Sequence, residues 1–510
     1  MKPEIHSPNL TLGIVGAGAM GRGIAQIAAQ AGLRVLLFDL QPGAAVAARD
    51  AIAATLSGLA AKGKIDQAAA DAATANITPA AALEDFAPCH AVVEAIIEKL
   101  EAKRQLFAAL EGIVDEDCLL ASNTSSLSVT EIAAACKRPG RVAGYHFFNP
   151  VPLMKVVEVI DALLTEPWVG EALTALARRM GHTPVRAKDT PGFIVNHAGR
   201  GYGTEALRLL GESVAAPHVI DAVLREQAGF RLGPFELLDL TGLDVSVPVM
   251  ESIYHQYFEE PRFRPSPLAA QRRVAGLLGR KTGEGYYRYA DGRAVPVPQA
   301  AAPATRPASA WVSNARPALA ERARQLLATL GVAPESGAAP SASALCIVTP
   351  LGDDVSQCCV AEGRDATRCV GLDLLFDNDR HRSLVLSPLT SAAMRDAAHG
   401  LLASDAAHVS VLRDSAGAVA QRVVATIVNI GCDIAQQGIA APEDIDRAVT
   451  LGLGYPHGPL AWGDRLGAAT VLEVLANLHA LSGDPRYRAS PWLRRRAALG
   501  VSLLTPEPGV

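Results

Sequence analysis

Residues 12–39 read LGIVGAGAMGRGIAQIAAQAGLRVLLFD, and this stretch decides the fold. A short apolar run leads into a glycine-rich turn, a helical stretch and a second apolar run that ends in an acid, which is the order of a βαβ unit. Gly16 permits a tight turn, Gly18 lets the backbone approach a pyrophosphate, and Gly21 lets helix and strand pack closely. The stretch therefore predicts a dinucleotide-binding turn.

The same turn indicates which dinucleotide binds. Ala19 and Met20 open the helix, whose free N–H groups and positive dipole end favour phosphate. Asp39 can accept both ribose hydroxyls of NAD and would repel the 2′-phosphate of NADP. The next residues, Leu40 and Gln41, offer no arginine for that phosphate. The prediction is NAD.

Strands and helices alternate beyond this unit. Residues 91–95, 119–122 and 141–145 are strand-like, and helical stretches at 99–110 and 129–136 separate them. This alternation predicts a Rossmann-like, doubly wound α/β domain. The chain then becomes mostly helical, passes through an Ala/Pro-rich linker and a small α/β stretch, and ends in helices. The predicted domains are 1–188 (NAD-binding), 189–290 (helical), 291–310 (linker), 311–406 (small α/β) and 407–510 (second helical).

An internal repeat relates the two helical regions. Shifting the chain by 225 residues superposes many Gly, Pro and Asp positions of 189–250 on 414–475 without a gap. The second copy has glutamine where the first has Asn196, and no His-Phe-Phe-Asn-Pro segment precedes it. It is predicted to be a degenerate copy, and the 311–406 stretch, which lacks a glycine-rich loop, is expected to bind no second dinucleotide.

Composition excludes several classes of protein. The 510 residues carry a net charge of -5 and no long basic run, which disfavours nucleic acid as the main partner. The N-terminus has no secretory signal, and no run of about 18 apolar residues predicts a membrane span. The eight cysteines form no Cys-x-x-Cys pair, so reduced thiols, no metal and a cytoplasmic location are expected.

His146 and Glu158 are candidates for acid–base chemistry. Oxidation of a secondary alcohol needs a base for the hydroxyl proton, and imidazole titrates near neutrality. A carboxylate can fix the imidazole tautomer and stabilise the imidazolium. Spacing alone does not place these two residues in contact, and a lone histidine is more often a packing or capping residue.

Longer motifs surround this pair. They are SNTSSL at 122–127, GYHFFNPVPLMKVVEV at 144–159, DTPGFIVN at 189–196, GPFELLD at 233–239 and KTGEGYY at 281–287. Together they closely resemble the L-3-hydroxyacyl-CoA dehydrogenase family over residues 10–290. The resemblance implies NAD-dependent oxidation of the 3-hydroxyl of an L-3-hydroxyacyl-CoA to the 3-oxoacyl-CoA.

The resemblance also implies residue roles. His146 is the general base, Glu158 its orienting partner, and Ser125 and Asn196 hold the substrate oxygens near the nicotinamide, with Ser125 also beside the cofactor. Further positions match NAD contacts (Glu98, Lys103, Lys281) and a helical arm for coenzyme A (Ser57, Lys62, Lys64). Surface-charge explanations stay open for Glu98, Lys62 and Lys64.

Residues 291–510 depart from the simplest family pattern. They resemble longer bacterial members linked to fatty-acid, butanoate or phenylacetate metabolism, so 3-hydroxybutyryl-CoA and 3-hydroxyadipyl-CoA are both candidate substrates. Single-unit members pair through their helical domains, which suggests a monomer with an internal pseudo-dimer, with a homodimer as the alternative. An L-gulonate-type sugar-acid dehydrogenase and a non-catalytic NAD-binding structural protein are the competing interpretations.

Overall fold

The computed structural model describes residues 4–298, 301–376 and 378–508. They form two compact units, which are described separately. The first combines the described residues of 1–197 with two later segments, 437–453 and 506–508. The second combines the described residues of 198–436 with 454–505.

Strands occur in both units. In chain order they are β1 (Thr11–Val15), β2 (Arg34–Phe38), β3 (Ile77–Pro79), β4 (Ala91–Glu94), β5 (Leu119–Ser122), β6 (Val142–Phe147), β7 (Val156–Asp161), β8 (Thr183–Lys188), β9 (Tyr289–Ala290), β10 (Arg293–Ala294), β11 (Ala310–Val312), β12 (Leu345–Val348), β13 (Cys369–Leu372), β14 (His381–Leu386) and β15 (His408–Arg413).

Helices connect and cover these strands. They are α1 (Ala19–Gln30), α2 (Ala44–Ala61), α3 (Gln67–Ala75), α4 (Leu100–Glu111), α5 (Val129–Ala133), α6 (Pro167–Arg179), α7 (Val195–Ala198), α8 (Arg200–Gly211), α9 (Pro217–Glu226), α10 (Pro234–Thr241), α11 (Leu243–Gln256), α12 (Pro267–Val274), α13 (Pro317–Thr329), α14 (Val355–Glu362), α15 (Ala392–Leu402), α16 (Ala420–Gln436), α17 (Pro442–Leu453), α18 (Pro459–Leu466), α19 (Ala468–Ser482) and α20 (Pro491–Leu499).

The first unit is built on an eight-stranded sheet. Its order is β3-β2-β1-β4-β5-β6-β7-β8, and every neighbouring pair is parallel except β6 and β7. All five residues of β1 are buried, as expected for a parallel strand covered on both faces. The strand order changes direction at β1, where β2 lies on one side and β4 on the other, so the glycine-rich turn lies at the switch point. The predicted doubly wound fold is confirmed.

One prediction about local structure needs a correction. The sequence placed the strand at 141–145, with His146 after its end, but β6 continues to Phe147. His146 therefore lies within a strand, because β6 pairs in antiparallel fashion with β7 from Ala143 to Phe147. The predicted helix at 129–136 also ends earlier, at Ala133.

The second unit contains both helical copies and a five-stranded sheet. The sheet order is β11-β12-β13-β14-β15, with β13 and β14 antiparallel and the other pairs parallel. This is the same pattern as β4 to β8 of the first unit. The strands β14 and β15 begin exactly 225 residues after β7 and β8. The internal repeat is therefore longer than the helical regions, and β11 to β15 correspond to five of the eight strands of the first sheet.

Each helical copy lends one helix to the other copy's sheet. In the first unit, α17 of the second copy packs on β7 and β8, and Lys188 N–H donates to Ile439 O (2.9 Å). In the second unit, α9 of the first copy packs on β14 and β15, and Arg413 N–H donates to Val214 O (3.1 Å). The two hydrogen bonds are equivalent under the 225-residue shift. The predicted helical domains 189–290 and 407–510 are therefore not self-contained bodies.

The two helical copies also pack on each other within the second unit. Helices α8 and α16 lie so close that a side-chain carbon on Gly201 would come within 3.0 Å of Ile430. The buried carboxylate of Glu205 accepts hydrogen bonds from Arg422 (2.5 Å) and Arg486 (3.1 Å). A third donor is the Tyr487 hydroxyl at 2.5 Å. This contact joins the first copy to the second at its centre.

Helix α2 is the longest of the first unit. Its 18 residues have a mean hydropathy of 1.3, so by length and composition alone it could cross a membrane, although 22% of it is buried inside the unit. It also carries Arg49 and Asp50 in an ion pair and packs against α3. One such helix is weak evidence for a membrane span.

Candidate functional site

The first element of the site is the contact between His146 and Glu158. The two residues face each other across the β6–β7 ladder. His146 Nδ1 lies 2.6 Å from Glu158 Oε2, and both residues are buried, at 4% and 0% exposure. The predicted pairing, which spacing alone could not place, is therefore present in the structure as a hydrogen bond inside the first unit.

The second oxygen of Glu158 is also held. Oε1 accepts the backbone N–H groups of Ile194 (2.8 Å) and Val195 (2.9 Å). These groups lie at the start of α7, where helix N–H groups lack partners within the helix. Both carboxylate oxygens are thus committed. Because an ionised carboxylate only accepts hydrogen bonds, Glu158 favours the tautomer with hydrogen on Nδ1 and leaves Nε2 of His146 free to accept a proton.

Two aromatic rings flank the imidazole. The His146 ring centroid lies 4.4 Å from that of Phe148 and 5.8 Å from that of Phe193. Phe193 adopts a positive φ of 49°, a strained conformation for an aromatic residue, in the turn that leads into α7. The turn places the phenyl ring against the histidine and the following N–H groups against Glu158. Local strain of this kind is typical of a functional site.

Asn196 and Ser125 come together as the sequence predicts. The Asn196 side-chain amide donates to the backbone carbonyl of Ser125 (3.2 Å). Asn196 belongs to α7, immediately after the two residues that hold Glu158, and Ser125 lies in the loop after β5. The loop is joined to β6 by Asn123, whose side-chain oxygen accepts the N–H of Phe147 (2.8 Å). The carboxyl end of β5 is thereby fixed beside the catalytic strand.

Glu98 organises the same loop. Its Oε1 accepts hydrogen bonds from the Thr124 hydroxyl (2.7 Å) and from the backbone N–H groups of Ser125 (2.8 Å) and Ser126 (3.1 Å). Burial alone would raise the pKa of Glu98, but the charge of Lys103 and these hydrogen bonds outweigh it and lower the pKa. Glu98 is therefore an anion that positions the loop, and not merely a surface acid.

Lys103 is buried beside two carboxylates, and its contact with NAD remains a prediction. Its side chain is only 1% exposed, and its ammonium group contacts the buried Glu94 and, at 3.3 Å, Glu98 Oε2. A buried cation of this kind holds two carboxylates and, through Glu98, the 124–126 loop. Glu94, which also accepts the Ser122 hydroxyl (2.6 Å), is a site residue that the sequence reading missed. The sequence did indicate this residue, because Glu94 is an acid at the end of β4, just as Asp39 is an acid directly after β2.

The glycine-rich turn fits a dinucleotide. Gly16 has φ +105°, and a side chain there would lie 2.5 Å from Ala95 O. A side chain on Gly21 would meet Gly16 O at 1.8 Å. No atom lies within 4 Å of the side-chain position of Gly18, so the space in front of it is open. Ala19 and Met20 begin α1, whose N-terminus faces that space. The three glycines thus have the three distinct roles that the sequence predicted.

Asp39 lies beside this turn. Its carboxylate accepts the N–H of Ala17 (2.7 Å) through Oδ2 and that of Gln41 (2.9 Å) through Oδ1. Each oxygen keeps capacity for a further hydrogen bond from a ribose hydroxyl. The negative charge lies within the turn itself, which favours NAD over the 2′-phosphorylated cofactor.

The remaining predicted residues lie apart from this cluster. Ser57, Lys62 and Lys64 are all exposed at the C-terminal end of α2 and in the turn after it, as expected of an arm that meets a ligand. Lys281 belongs to the second unit, where its ammonium group pairs with Asp244 (2.5 Å). Its contact with NAD remains a prediction.

Comparisons with known proteins agree with this site. Residues 11–190 match the 3-hydroxyacyl-CoA dehydrogenase NAD-binding domain, and residues 192–289 and 417–502 each match the C-terminal domain of the same family. The match at 417–502 independently supports the internal repeat.

Two relatives from Escherichia coli K12 extend over nearly the whole chain. A protein named 3-hydroxyadipyl-CoA dehydrogenase is 38% identical over 493 residues, which cover 96% of this chain and 98% of the relative. A crystal structure described as 3-hydroxybutyryl-CoA dehydrogenase superposes with a TM-score of 0.85 at 36% identity, covering 96% and 98% of the two chains.

A shorter relative covers the first part alone. A probable 3-hydroxybutyryl-CoA dehydrogenase of Bacillus subtilis is 41% identical over 276 residues, which are 54% of this chain and 96% of that protein. The chain is therefore an NAD-dependent oxidoreductase and belongs to the 3-hydroxyacyl-CoA dehydrogenase family.

Proposed function

We propose that His146 removes the proton from the 3-hydroxyl of an L-3-hydroxyacyl-CoA while the hydrogen on C3 leaves as hydride. NAD, held at the glycine-rich turn, supplies the hydride acceptor. The proton goes to Nε2 of His146, because Nδ1 is engaged by Glu158. The products are the 3-oxoacyl-CoA, NADH and one proton. The observation that carries this proposal is the buried Glu158, whose two oxygens hold the imidazole and the start of α7 at once.

Glu158 acts in this proposal as a positioning residue. Its charge stabilises the imidazolium that forms on proton transfer, and its two backbone hydrogen bonds fix the carboxylate. Asn196 and Ser125 lie where α7 meets the loop after β5, so we assign them to the substrate oxygens. The exposed Ser57, Lys62 and Lys64 are assigned to coenzyme A because its phosphates need cations and hydroxyl groups at an open surface.

The substrate is assigned to short-chain thioesters. The full-length relative named for 3-hydroxyadipyl-CoA favours the dicarboxylic substrate and a role in phenylacetate breakdown. The half-length relatives named for 3-hydroxybutyryl-CoA favour butanoate or fatty-acid metabolism. A distal carboxylate would need a cation, and Arg200 is one candidate; it is part-buried in the second unit, and burial lowers its pKa to about 10. Arg231, the other candidate, is exposed there.

An activity assay of the purified protein with NAD and each thioester tests both the proposed reaction and the choice of substrate. We expect NADH formation with L-3-hydroxybutyryl-CoA or L-3-hydroxyadipyl-CoA, and a higher kcat/KM for one identifies the pathway. Glu158→Gln keeps the shape of the side chain and should lower kcat by about 10²-fold or more while NAD binding persists. Activity on a sugar acid alone, or a kcat indifferent to Glu158, would contradict the proposal.

The reciprocal exchange of α9 and α17 supports an internal pseudo-dimer. The equivalent hydrogen bonds Lys188–Ile439 and Arg413–Val214 are those expected of a twofold pair. A chain truncated after Ala290 loses α17, so it should self-associate or lose activity. Sedimentation of the full chain as a monomer, with association of the truncated one, fits the proposal; a monomeric and fully active truncated chain contradicts it.

A cytoplasmic location is also proposed. All eight cysteines are buried and none forms a disulfide, which suits a reducing compartment. Fractionation of cells tests it.

A further inference from the structure

A cluster of two histidines and one glutamate lies in the second unit, outside the site described above. Glu226 ends α9, and His381 and His408 begin the neighbouring strands β14 and β15, where they are register partners. Glu226 Oε2 lies 2.9 Å from His381 Nδ1 and 3.1 Å from His408 Nδ1. All three ligand atoms lie within 4.8 Å of one another. From this geometry we propose that the three residues bind a divalent transition-metal ion of the imidazole-preferring class, such as Zn²⁺.

The spacing of the three atoms suits one ion. Two ligands with bonds of about 2.05 Å in a tetrahedral zinc site are roughly 3.3 Å apart. The two separations from Glu226 Oε2 to the histidine nitrogens, 2.9 and 3.1 Å, are only a few tenths of an ångström shorter, and the two histidine ligand atoms lie within 4.8 Å of each other. Two imidazoles and one carboxylate are also a known ligand set for zinc sites that keep an open position. The fourth position is left to water or to a further side chain.

Ser410 provides the support that a metal-bound histidine needs. Its hydroxyl lies 2.9 Å from Nε2 of His381, on the opposite side of the ring from Glu226. A ligating imidazole must present a bare Nδ1 and carry its hydrogen on Nε2. Because the serine hydroxyl can turn to accept that hydrogen, it can hold the ring in the metal-binding tautomer.

The surroundings are rich in the same ligand type. A 370 Å³ cavity beside the cluster is lined by His218 and His399 as well as by His381 and His408. Four of the chain's 12 histidines thus meet in one cavity, which concentrates ligands of one class. Arg225 approaches only the other oxygen of Glu226, at 3.8 Å.

The internal repeat provides a built-in comparison. Under the 225-residue shift His381 and His408 correspond to Val156 and Thr183, at the start of β7 and β8. Glu226 corresponds to Leu451 of α17. The same helix-on-sheet contact therefore forms in the catalytic copy without any of the three ligands. The architecture does not require this cluster, so we assign its residues to a ligand and not to packing.

Calorimetric titration of ZnCl₂ into the full-length, tag-free protein, stripped beforehand with chelator, tests the proposal. We expect one tight equivalent in the wild type. Glu226→Gln and His408→Gln, both at partly exposed positions, should weaken it by at least about tenfold, since even outer-shell changes cost that much. Ser410→Ala should weaken it by about tenfold too. The control is His255→Gln, which removes an exposed histidine paired only with Glu259 (2.8 Å) and should change nothing.

Two further readouts separate the proposed site from other zinc binding. X-ray absorption of the one-to-one complex should show two imidazoles on the metal; sulfur neighbours would assign the ion to the buried thiols and overturn the proposal. Zinc should raise the melting temperature of the wild type and not that of His408→Gln, because the ion joins α9 to β14 and β15. Absence of stoichiometric binding, or equal binding by wild type and Glu226→Gln, would also overturn it.

Discussion

The two Rossmann-like sheets share the order and direction of five strands and differ at the position of the His146–Glu158 pair. In the first, His146 of β6 stands opposite Glu158 of β7. In the second, the register of β13 and β14 places Asp373 opposite Ser383, the residue 225 positions after Glu158. An acid and a hydroxyl thus replace the base and its carboxylate. The comparison indicates that the second copy kept the arrangement of the strands and lost the two residues proposed for proton transfer.

In the second copy, its own side chains occupy the position that corresponds to the candidate site of the first copy. Asn196 of the first copy corresponds to Gln421. Each side-chain amide donates a hydrogen bond to a backbone carbonyl in a loop that follows a strand. Asn196 donates to Ser125 O after β5, and Gln421 donates to Pro350 O after β12, at 3.0 Å. The longer glutamine reaches further and donates to Asp373 Oδ1 (2.9 Å). Burial raises the pKa of Asp373. One additional methylene therefore lets Gln421 reach a side chain of its own copy, at the position where Asn196 is proposed to contact substrate.

The largest expected effect separates the two positions directly. His146→Gln should lower kcat by about 10²- to 10⁴-fold, because it removes the proton acceptor and keeps the shape of the site. Asp373→Asn, the matched change in the second copy, should leave kcat unchanged. Steady-state NADH formation measures both, with NAD affinity as the control for folding. A comparable loss in Asp373→Asn would mean that the second sheet takes part in turnover.

The contact between the copies should show the next largest effect. Glu205 is buried against Arg422 and Arg486, and its counterpart in the second copy is Ile430, so this contact is not symmetric. Glu205→Gln should lower the free energy of unfolding of the second unit by about 3–5 kcal/mol, because it removes the buried charge that Arg422 and Arg486 share. Glu212→Gln, at a half-exposed partner of Arg422, should cost about 1 kcal/mol or less. Urea unfolding compares them, and equal losses would contradict the assignment.

A smaller effect should be equal in the two copies. The carboxylate of Asp189 accepts backbone N–H groups at the start of α5, including that of Thr130 at 2.7 Å. The carboxylate of Asp414 does the same at the start of α14, where it accepts the N–H of Ser356 at 3.0 Å. Asp189→Ala and Asp414→Ala should each lower stability by about 1–2 kcal/mol, the usual value of a lost helix cap. Thermal unfolding tests whether the framework is as intact in the second copy as in the first. A negligible effect for Asp414→Ala would mean that the second framework has decayed.

The smallest expected effect is an acid dependence in the first copy. The pKa of Glu98 is lowered, so its charge contributes stability above the ordinary carboxyl pKa of 4.5, and that contribution is lost as the pH falls through the lower folded value. Glu98→Gln should flatten the pH dependence of unfolding below about pH 4.5. The wild-type and variant curves are compared from pH 3 to 7. Parallel curves over that range would contradict the role of Glu98.

Local features of the fold were predictable from sequence. The glycine-rich turn was recognisable because each of its glycines has a reason to lack a side chain. Gly16 lies in a tight turn, Gly18 borders the space for a ligand, and Gly21 is in close packing contact. The predicted strand at 119–122 and helix at 99–110 agree with the observed bounds to within one residue, since their apolar patterns are strong. The family resemblance supplied the pairing of His146 with Glu158, which depends on an antiparallel ladder that spacing does not reveal.

Features that join distant segments were not predictable. The repeat in sequence stopped at the helical regions because β13 is shifted by two residues relative to β6, which breaks the gapless register at Asp373. The burial of Lys103 depends on its contacts with Glu94 and Glu98, which the sequence pattern does not reveal. The exchange of α9 and α17 depends on contacts across about 250 residues.

That exchange has a consequence for how the chain is made. Strand β8 is an edge of the first sheet, and its N–H groups at Arg186 and Lys188 are met by Asp444 and Ile439. When residue 197 leaves the ribosome, about 250 residues remain before α17 emerges, which at 5–20 residues per second takes about 10–50 s. Throughout that time the nascent catalytic domain carries an uncovered strand edge, the feature that templates aggregation. Until α17 emerges, the backbone N–H groups of Arg186 and Lys188 therefore lack the hydrogen-bond acceptors that Asp444 and Ile439 provide in the folded chain.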